Sequence, residues 1–244
     1  MSQAVTAILY APGTNCHEET AAALEHAGGR SELVLLHELL TGTCRLSRYQ
    51  AAIIPGGFSY GDHLGAGRVF ATVLVAQLRD QLAEFLQAGK PMLGVCNGFQ
   101  VLTEAGILPG RAPGAHGLAL LENESAHFED RMVRLLVTEE PSPWITGLSG
   151  RVLQMPSAHG EGRLLSGAGC GGRVIFRYAD SSGAPTAEYP CNPSGAPGGV
   201  AGIADSTGLV LGLMPHPERA SLPVHEAQDG LEIFRNLVRW LAEA

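Results

Sequence analysis

Residues 91–100 read Pro91-Met92-Leu93-Gly94-Val95-Cys96-Asn97-Gly98-Phe99-Gln100, a buried strand that runs into a sharp turn with a thiol at its apex. Residues 91–95 are short, apolar and opened by proline, the pattern of a central strand in a parallel sheet. Gly94 and Gly98 flank Cys96 at two-residue spacing, so small neighbours let the chain turn tightly from strand to helix. A helix starting near Asn97 and carrying Phe99, Val101 and Leu102 inward aims its uncapped N–H groups at the sulfur. The local pattern fits a nucleophile and equally a small buried hydrophobe, the usual state of an intracellular cysteine.

Working outward, residues 4–10, 32–36, 51–54 and 209–214 form further short apolar runs that read as strands. Residues 18–27 read as a helix, with Glu18 and Glu19 in its first turn and Gly28-Gly29 after its end. Residues 65–89 are mostly helical, because Val69, Val73, Leu74, Leu78, Leu82, Phe85 and Leu86 recur every three or four positions. Residues 106–117 read as a connection, and a Gly/Pro-rich loop covers 184–199. Residues 118–137, 174–178 and 203–204 carry β signals, and a last helix spans about 229–242. No linker divides the chain. The expected architecture is α/β: one flavodoxin-like domain over residues 1–244, its mostly parallel sheet flanked by helices, with antiparallel strands added in the second half.

Composition removes several classes of function. The 244 residues are 45% apolar and 16% charged, with a formal charge of −8. Nucleic-acid and anionic-membrane surfaces need clustered Lys and Arg, whereas the 16 here are scattered. Five cysteines without any Cys-x-x-Cys point to a reducing compartment and give no zinc-ribbon spacing. No apolar run approaches the ~20 residues of a membrane span. A cytoplasmic protein with no metal of its own is expected.

A cysteine nucleophile needs a base and a third group that orients it. Two His-x-Glu units offer this, His159-Gly160-Glu161 and His216-Pro217-Glu218, each read as an extended loop with imidazole and carboxylate two residues apart. His216 follows a strand end between two prolines and is modestly favoured. Gly56-Gly57, after the strand at 51–54, leaves backbone N–H groups uncovered, which suits an oxyanion site; for Gly-Gly in isolation a plain tight turn is the favoured reading. Cys16 is a rival thiol without flanking glycines, and the acidic pair beside it is expected to disfavour its thiolate.

Taken together, these motifs resemble the class I, or triad-type, glutamine amidotransferases. More narrowly, Pro-Gly-Thr-Asn-Cys at 12–16, Gly-Gly-Phe-Ser-Tyr-Gly-Asp at 56–62, Ala-His-Gly-Glu-Gly-Arg at 158–163 and Met-Pro-His-Pro-Glu-Arg-Ala at 214–220 resemble the glutaminase-subunit family of phosphoribosylformylglycinamidine synthase. The resemblance implies Cys96 as nucleophile, His216 as base and then acid, and Glu218 as its orienter. It also implies an oxyanion hole from the backbone N–H groups of Gly57 and Asn97, and Gln100 as a holder of substrate glutamine. His159 and Glu161 then become a loop near the site or at a subunit interface.

The same resemblance implies a larger synthetase partner that uses ATP and Mg to convert formylglycinamide ribonucleotide to formylglycinamidine ribonucleotide, with or without a small third subunit. No ATP site is visible in this chain. Two departures stand out. Where the family reads Asp-Tyr-Leu-Arg-Ala-Gly-Ala, this chain has Asp62-His63-Leu64-Gly65-Ala66-Gly67-Arg68, so the arginine lies three residues late; and His127 replaces the Arg or Lys usual before Phe128. Two other readings remain, a different cysteine hydrolase or peptidase on the same fold and a catalytically idle regulatory subunit.

Overall fold

The computed structural model describes residues 4–110, 112–114, 116–138, 141–167 and 172–243. Strands β1 (Val5–Tyr10), β2 (Arg30–Leu35), β3 (Ala51–Ile54) and β4 (Met92–Val95) belong to one sheet. So do β6 (Glu129–Val137), β7 (Val152–His159), β9 (Arg173–Ala179), β10 (Val200–Ala204) and β11 (Val210–Leu213). Their order is β2-β1-β3-β4-β11-β10-β9-β6-β7. The first five run parallel, and each later neighbour is antiparallel. A separate antiparallel ladder joins β5 (Leu118–Leu121) to β8 (Arg163–Ser166).

Every residue of β3, β4 and β11 is buried, which is why these strands read as unbroken apolar runs. Among the described residues the sheet is accompanied by six α-helices: α1 (His17–His26), α2 (Leu36–Leu40), α3 (Arg68–Gln77), α4 (Arg79–Gln87), α5 (Asn97–Glu104) and α6 (Leu231–Glu243). α1 packs with α6, and α3 with α5. The chain moves outward from β1 to β2 and then returns to β3 on the other side, so the crossover direction reverses at β1/β3. Sites in such sheets form at the carboxyl ends of strands around that reversal.

The α/β architecture with an antiparallel extension is the expected one. Three local expectations change. The helical stretch 65–89 is two helices, broken at Leu78 (φ −120°, ψ 14°), and it starts only at Arg68 because Gly65 and Gly67 hold positive φ. His159 ends strand β7 rather than sitting in a loop. His216 is extended, but Glu218 lies in a 3-10 turn, Pro217–Ala220, opened by the proline at its first position. That turn, rather than an extended loop, brings the carboxylate back to its own histidine.

Candidate active site

Loops leaving the carboxyl ends of β1, β3, β4 and β11 meet around one cavity of about 270 Å³. β4 ends in Cys96, whose φ of 49° and ψ of −106° lie where residues bearing a Cβ rarely stay. The turn is tight: a Cβ on Gly98 would fall 1.8 Å from the Ile54 carbonyl oxygen, and one on Gly94 would fall 2.5 Å from that of Gly98. Cys96 N–H donates to Leu213 O at 2.8 Å, which ties the elbow to β11. The thiol lines the cavity, 3.5 Å from the Ala158 carbonyl oxygen.

β11 leads to the candidate base, His216. His216 N–H donates to Pro156 O at 2.8 Å, and its ring Nδ1 lies 2.6 Å from Glu218 Oε1. Both side chains are buried. With a carboxylate as acceptor, Nδ1 carries the proton, which leaves Nε2 for the reaction. Nε2 is buried without a hydrogen-bond partner among the described residues. Burial alone would depress the His216 pKa; the Glu218 charge opposes it, helped by Cys96 and Cys16, and holds the imidazole well above its ordinary range.

Cys16 enters this same site. Its sulfur, a His216 ring nitrogen and a Glu218 carboxylate oxygen all lie within 4.8 Å of one another. Arg219 Nη2 donates to the sulfur at 3.3 Å, while Arg219 Nε pairs with Glu19. The Cys16 pKa is raised, first by burial and further by Glu218, against the lowering pull of His216 and Arg219. The expected direction is right but its source differs, since Glu19 of the acidic pair is paired with Arg219. Cys16, His216 and Glu218 are the one such group among the described residues with metal-ligand spacing, although Nδ1 of the histidine already donates to Glu218.

The oxyanion candidates sit beside the thiol. Gly57, with φ of +143°, lines the cavity, and among the described residues its N–H makes no hydrogen bond. Asn97 supplies the first N–H of α5, which has no intrahelical acceptor. Its side chain then fixes the loop after β3: Oδ1 accepts from Ser59 N–H at 3.1 Å, and Nδ2 donates to Asp62 Oδ1 at 3.1 Å and Gln100 Oε1 at 3.0 Å. Gln100 Nε2 continues the chain to the Glu161 carbonyl oxygen at 2.7 Å. Asp62, Arg219 and Phe58 line the cavity too, and sequence reasoning gave none of them a role.

His159 and Glu161 line the cavity as well, so both His-x-Glu units converge on it. His159 Nδ1 is 2.9 Å from Asn123 Oδ1, which also accepts from Gly162 N–H; Nδ1 therefore donates. Burial first, and the His216 charge second, push the His159 pKa down to about 4. His159 is thus a neutral imidazole unsuited to base catalysis beside a cationic neighbour. The late arginine folds back: Arg68 Cζ lies 3.4 Å from where a Gly65 Cβ would stand, and its Nε pairs with Glu104. His127 offers its carbonyl to Asn123 Nδ2 at 3.0 Å, a backbone role any residue fills.

Residues 3–241 match the family model described as CobB/CobQ-like glutamine amidotransferase domain. The chain is 41% identical to phosphoribosylformylglycinamidine synthase subunit PurQ of Dehalococcoides mccartyi, over 98% of each chain. It is 39% identical to the subunit of that name from Pyrococcus furiosus, over 96% of this chain and 97% of that one. Among solved structures, a chain of PurLQS from Thermotoga maritima matches with a TM-score of 0.81 at 32% identity, covering 98% of this chain and 99% of that one. No described helix is long and apolar enough to cross a membrane.

Proposed function

This chain belongs to the CobB/CobQ-like glutamine amidotransferase family and, within it, to the phosphoribosylformylglycinamidine synthase PurQ subunits, and on that footing we propose a Cys96-His216-Glu218 glutaminase that passes ammonia to a synthetase subunit. The observation that carries the reading is the meeting of two strand ends, the strained Cys96 elbow and the buried His216–Glu218 pair, on one cavity.

Each part then has a step. His216, as an imidazolium, already holds on Nε2 the proton given up by the thiol, and the Cys96 thiolate attacks the glutamine carboxamide carbon. The oxyanion rests on the N–H groups of Gly57 and Asn97; one such donor typically lowers the barrier by ~3 kcal/mol. Collapse expels ammonia, which takes its proton from His216, and leaves a γ-glutamyl thioester on Cys96. Water, activated by His216, cleaves the thioester and releases glutamate. Glu218 keeps the ring oriented and stabilises the imidazolium throughout. Gln100 helps hold the glutamine.

The partner is the ATP- and Mg-using synthetase, which activates the formylglycinamide ribonucleotide amide oxygen for attack by this ammonia; the setting is the cytoplasm. The match to a chain of PurLQS from Thermotoga maritima supports this partnership. The test mixes chain, synthetase, formylglycinamide ribonucleotide, Mg-ATP and glutamine, with Cys96→Ala as control. Amidine product that vanishes in the control and returns with free ammonia is the expected result. Equal rates for wild type and Cys96→Ala would remove Cys96 as nucleophile and reopen the hydrolase and regulatory readings.

A further inference from the structure

The glutaminase chemistry uses one of the two thiols at this cavity and leaves Cys16 without a task. Cys16 is 1% exposed and is pinned against the loop after β3. Its backbone N–H donates to the Gly56 carbonyl oxygen at 3.2 Å, and its own carbonyl accepts from Thr20 N–H at 2.9 Å and Thr20 Oγ1 at 2.7 Å. Gly13 O accepts from Phe58 N–H at 3.0 Å and Pro12 O from Tyr60 N–H at 2.6 Å, so residues 12–16 run along residues 56–60. The side chain reaches the base. Its sulfur accepts from Arg219 Nη2 at 3.3 Å and lies within 4.8 Å of a His216 ring nitrogen and a Glu218 carboxylate oxygen.

The thiol is oriented on one side. Its hydrogen donates to Asn15 Oδ1 at 3.2 Å, which leaves the sulfur lone pairs for Arg219 and the imidazole. Burial first, and Glu218 further, keep it a neutral thiol against the pull of His216 and Arg219. Glu218 grips the imidazole through Nδ1 alone, and a single hydrogen bond leaves a ring free to pivot about it unless packing closes that motion. The Nδ1–Cε1 edge of the ring and the Cys16 sulfur crowd the same side of Gly56, 2.7 to 3.3 Å from where a Cβ there would stand. Titratable groups face His216 from four elements: Cys96 at the elbow, His159 on β7, Glu218 on its own turn, and Cys16 in the loop after β1, with the Arg219 charge beyond its sulfur. Cys96 and Glu218 take part in the reaction and His159 stays neutral, which leaves Cys16.

We propose that Cys16 is a positioning residue for the base: its sulfur, held by Asn15 and Arg219, braces the imidazole against pivoting about the Glu218 bond and so keeps Nε2 aimed at Cys96. This rests on the glutaminase reading above. Cys16 acts through His216 and makes no bond to the reacting carbon. The same contact supports the charged ring, since Cys16 is among the groups that raise the His216 pKa.

The experiment compares Cys16→Ala and Cys16→Ser with wild type in the assembled synthetase complex, following glutamate release from glutamine between pH 6 and pH 10. Cys16→Ala should lower kcat about tenfold, with KM for glutamine within about twofold, because the misplaced group belongs to the reacting atoms rather than to binding. It should also move the alkaline limb of the profile down by about one pH unit, as loss of a hydrogen bond to a charged group does. Cys16→Ser keeps a donor and an acceptor at the same place and should recover most of kcat and the wild-type limb. A thiol that only fills space predicts the reverse order, because a buried hydroxyl costs more than a methyl group there. Titration of the histidine-ring NMR signals in the full-length chain reads the His216 shift without turnover. An alkaline limb unmoved in Cys16→Ala, or serine no better than alanine, overturns the proposal and leaves the glutaminase reading intact. Loss of turnover in Cys16→Ser as complete as in Cys96→Ala also overturns it, because the sulfur itself would then be required. Wild-type turnover in Cys96→Ala would remove the reading beneath it.

Discussion

Gly56 stands against His216 so closely that a Cβ there would fall 2.7 Å from the ring Cε1 and 3.3 Å from Nδ1, with the Cys16 sulfur also at 3.3 Å. Glu218 holds the imidazole at Nδ1 and the Pro156 carbonyl ties its backbone N–H, so a group at Gly56 can be met only by swinging the ring off this pairing. Gly56→Ala should therefore turn the ring away from Cys96 and lower kcat by 100-fold or more, since small misplacements at the reacting atoms cost that much. Glutaminase rate and a thermal melt measure it; a folded variant with wild-type kcat would show that His216 tolerates displacement.

The Cys96 backbone makes a second prediction with an unusual sign. In ordinary positions Ala→Gly costs about 0.5–1 kcal/mol through unfolded-state entropy. At a φ of 49° and ψ of −106° a side chain carries strain of order 1–3 kcal/mol that glycine relieves. Cys96→Gly should thus equal or exceed Cys96→Ala in stability by denaturant unfolding. A glycine variant weaker by the ordinary amount would mean that the elbow is unstrained.

Much of this site was legible because its parts lie at strand ends marked by apolar runs and prolines or glycines. The stretch 91–100 gave the elbow, and 209–216 gave the strand leading to His216. What stayed hidden depends on contacts between distant segments. Cys16 reads as a loop cysteine beside acids, yet β1 lies two strands from β4 and its loop reaches His216. His159 and His216 share a sequence pattern, and only burial and the Asn123 acceptor separate them. The break between α3 and α4 left no trace in the apolar spacing, since both halves keep the same three-to-four repeat.

His159 supplies a pH signature. Its folded pKa of about 4 lies below the ~6.5 of an exposed histidine. Between those values the unfolded chain binds a proton that the native chain refuses, so stability rises with pH across that window. His159→Gln removes this dependence. The stability advantage of wild type over the variant should shrink by roughly 3 kcal/mol between pH 7 and pH 4, at about 1.36 kcal/mol per pKa unit. Parallel urea-unfolding profiles would mean that His159 titrates freely in the folded chain.

His216 should behave in the opposite sense, and Glu218→Gln exposes it. In wild type the native chain holds the His216 proton to higher pH than the unfolded chain does, because burial, the largest single influence, is outweighed by the Glu218 charge together with Cys96 and Cys16. That stabilisation is fully present below about pH 6.5 and is lost as pH rises through the raised native value. With glutamine at 218 the counter-charge is gone, burial dominates, and the native chain resists protonating His216. The variant therefore loses stability as pH falls through 6.5, where wild type keeps it. The gap between the two should widen from pH 9 to pH 6.5 and reach about 3–5 kcal/mol, the cost of breaking a buried pair. His159, whose folded pKa the His216 charge helps to lower, adds its own pH dependence only below the ~6.5 of an exposed histidine, so the comparison is read above that value. A gap that stays constant across pH 6.5–9 would place the pairing proton elsewhere than on His216 and would remove the electrostatic basis for the proposed role of His216 as base.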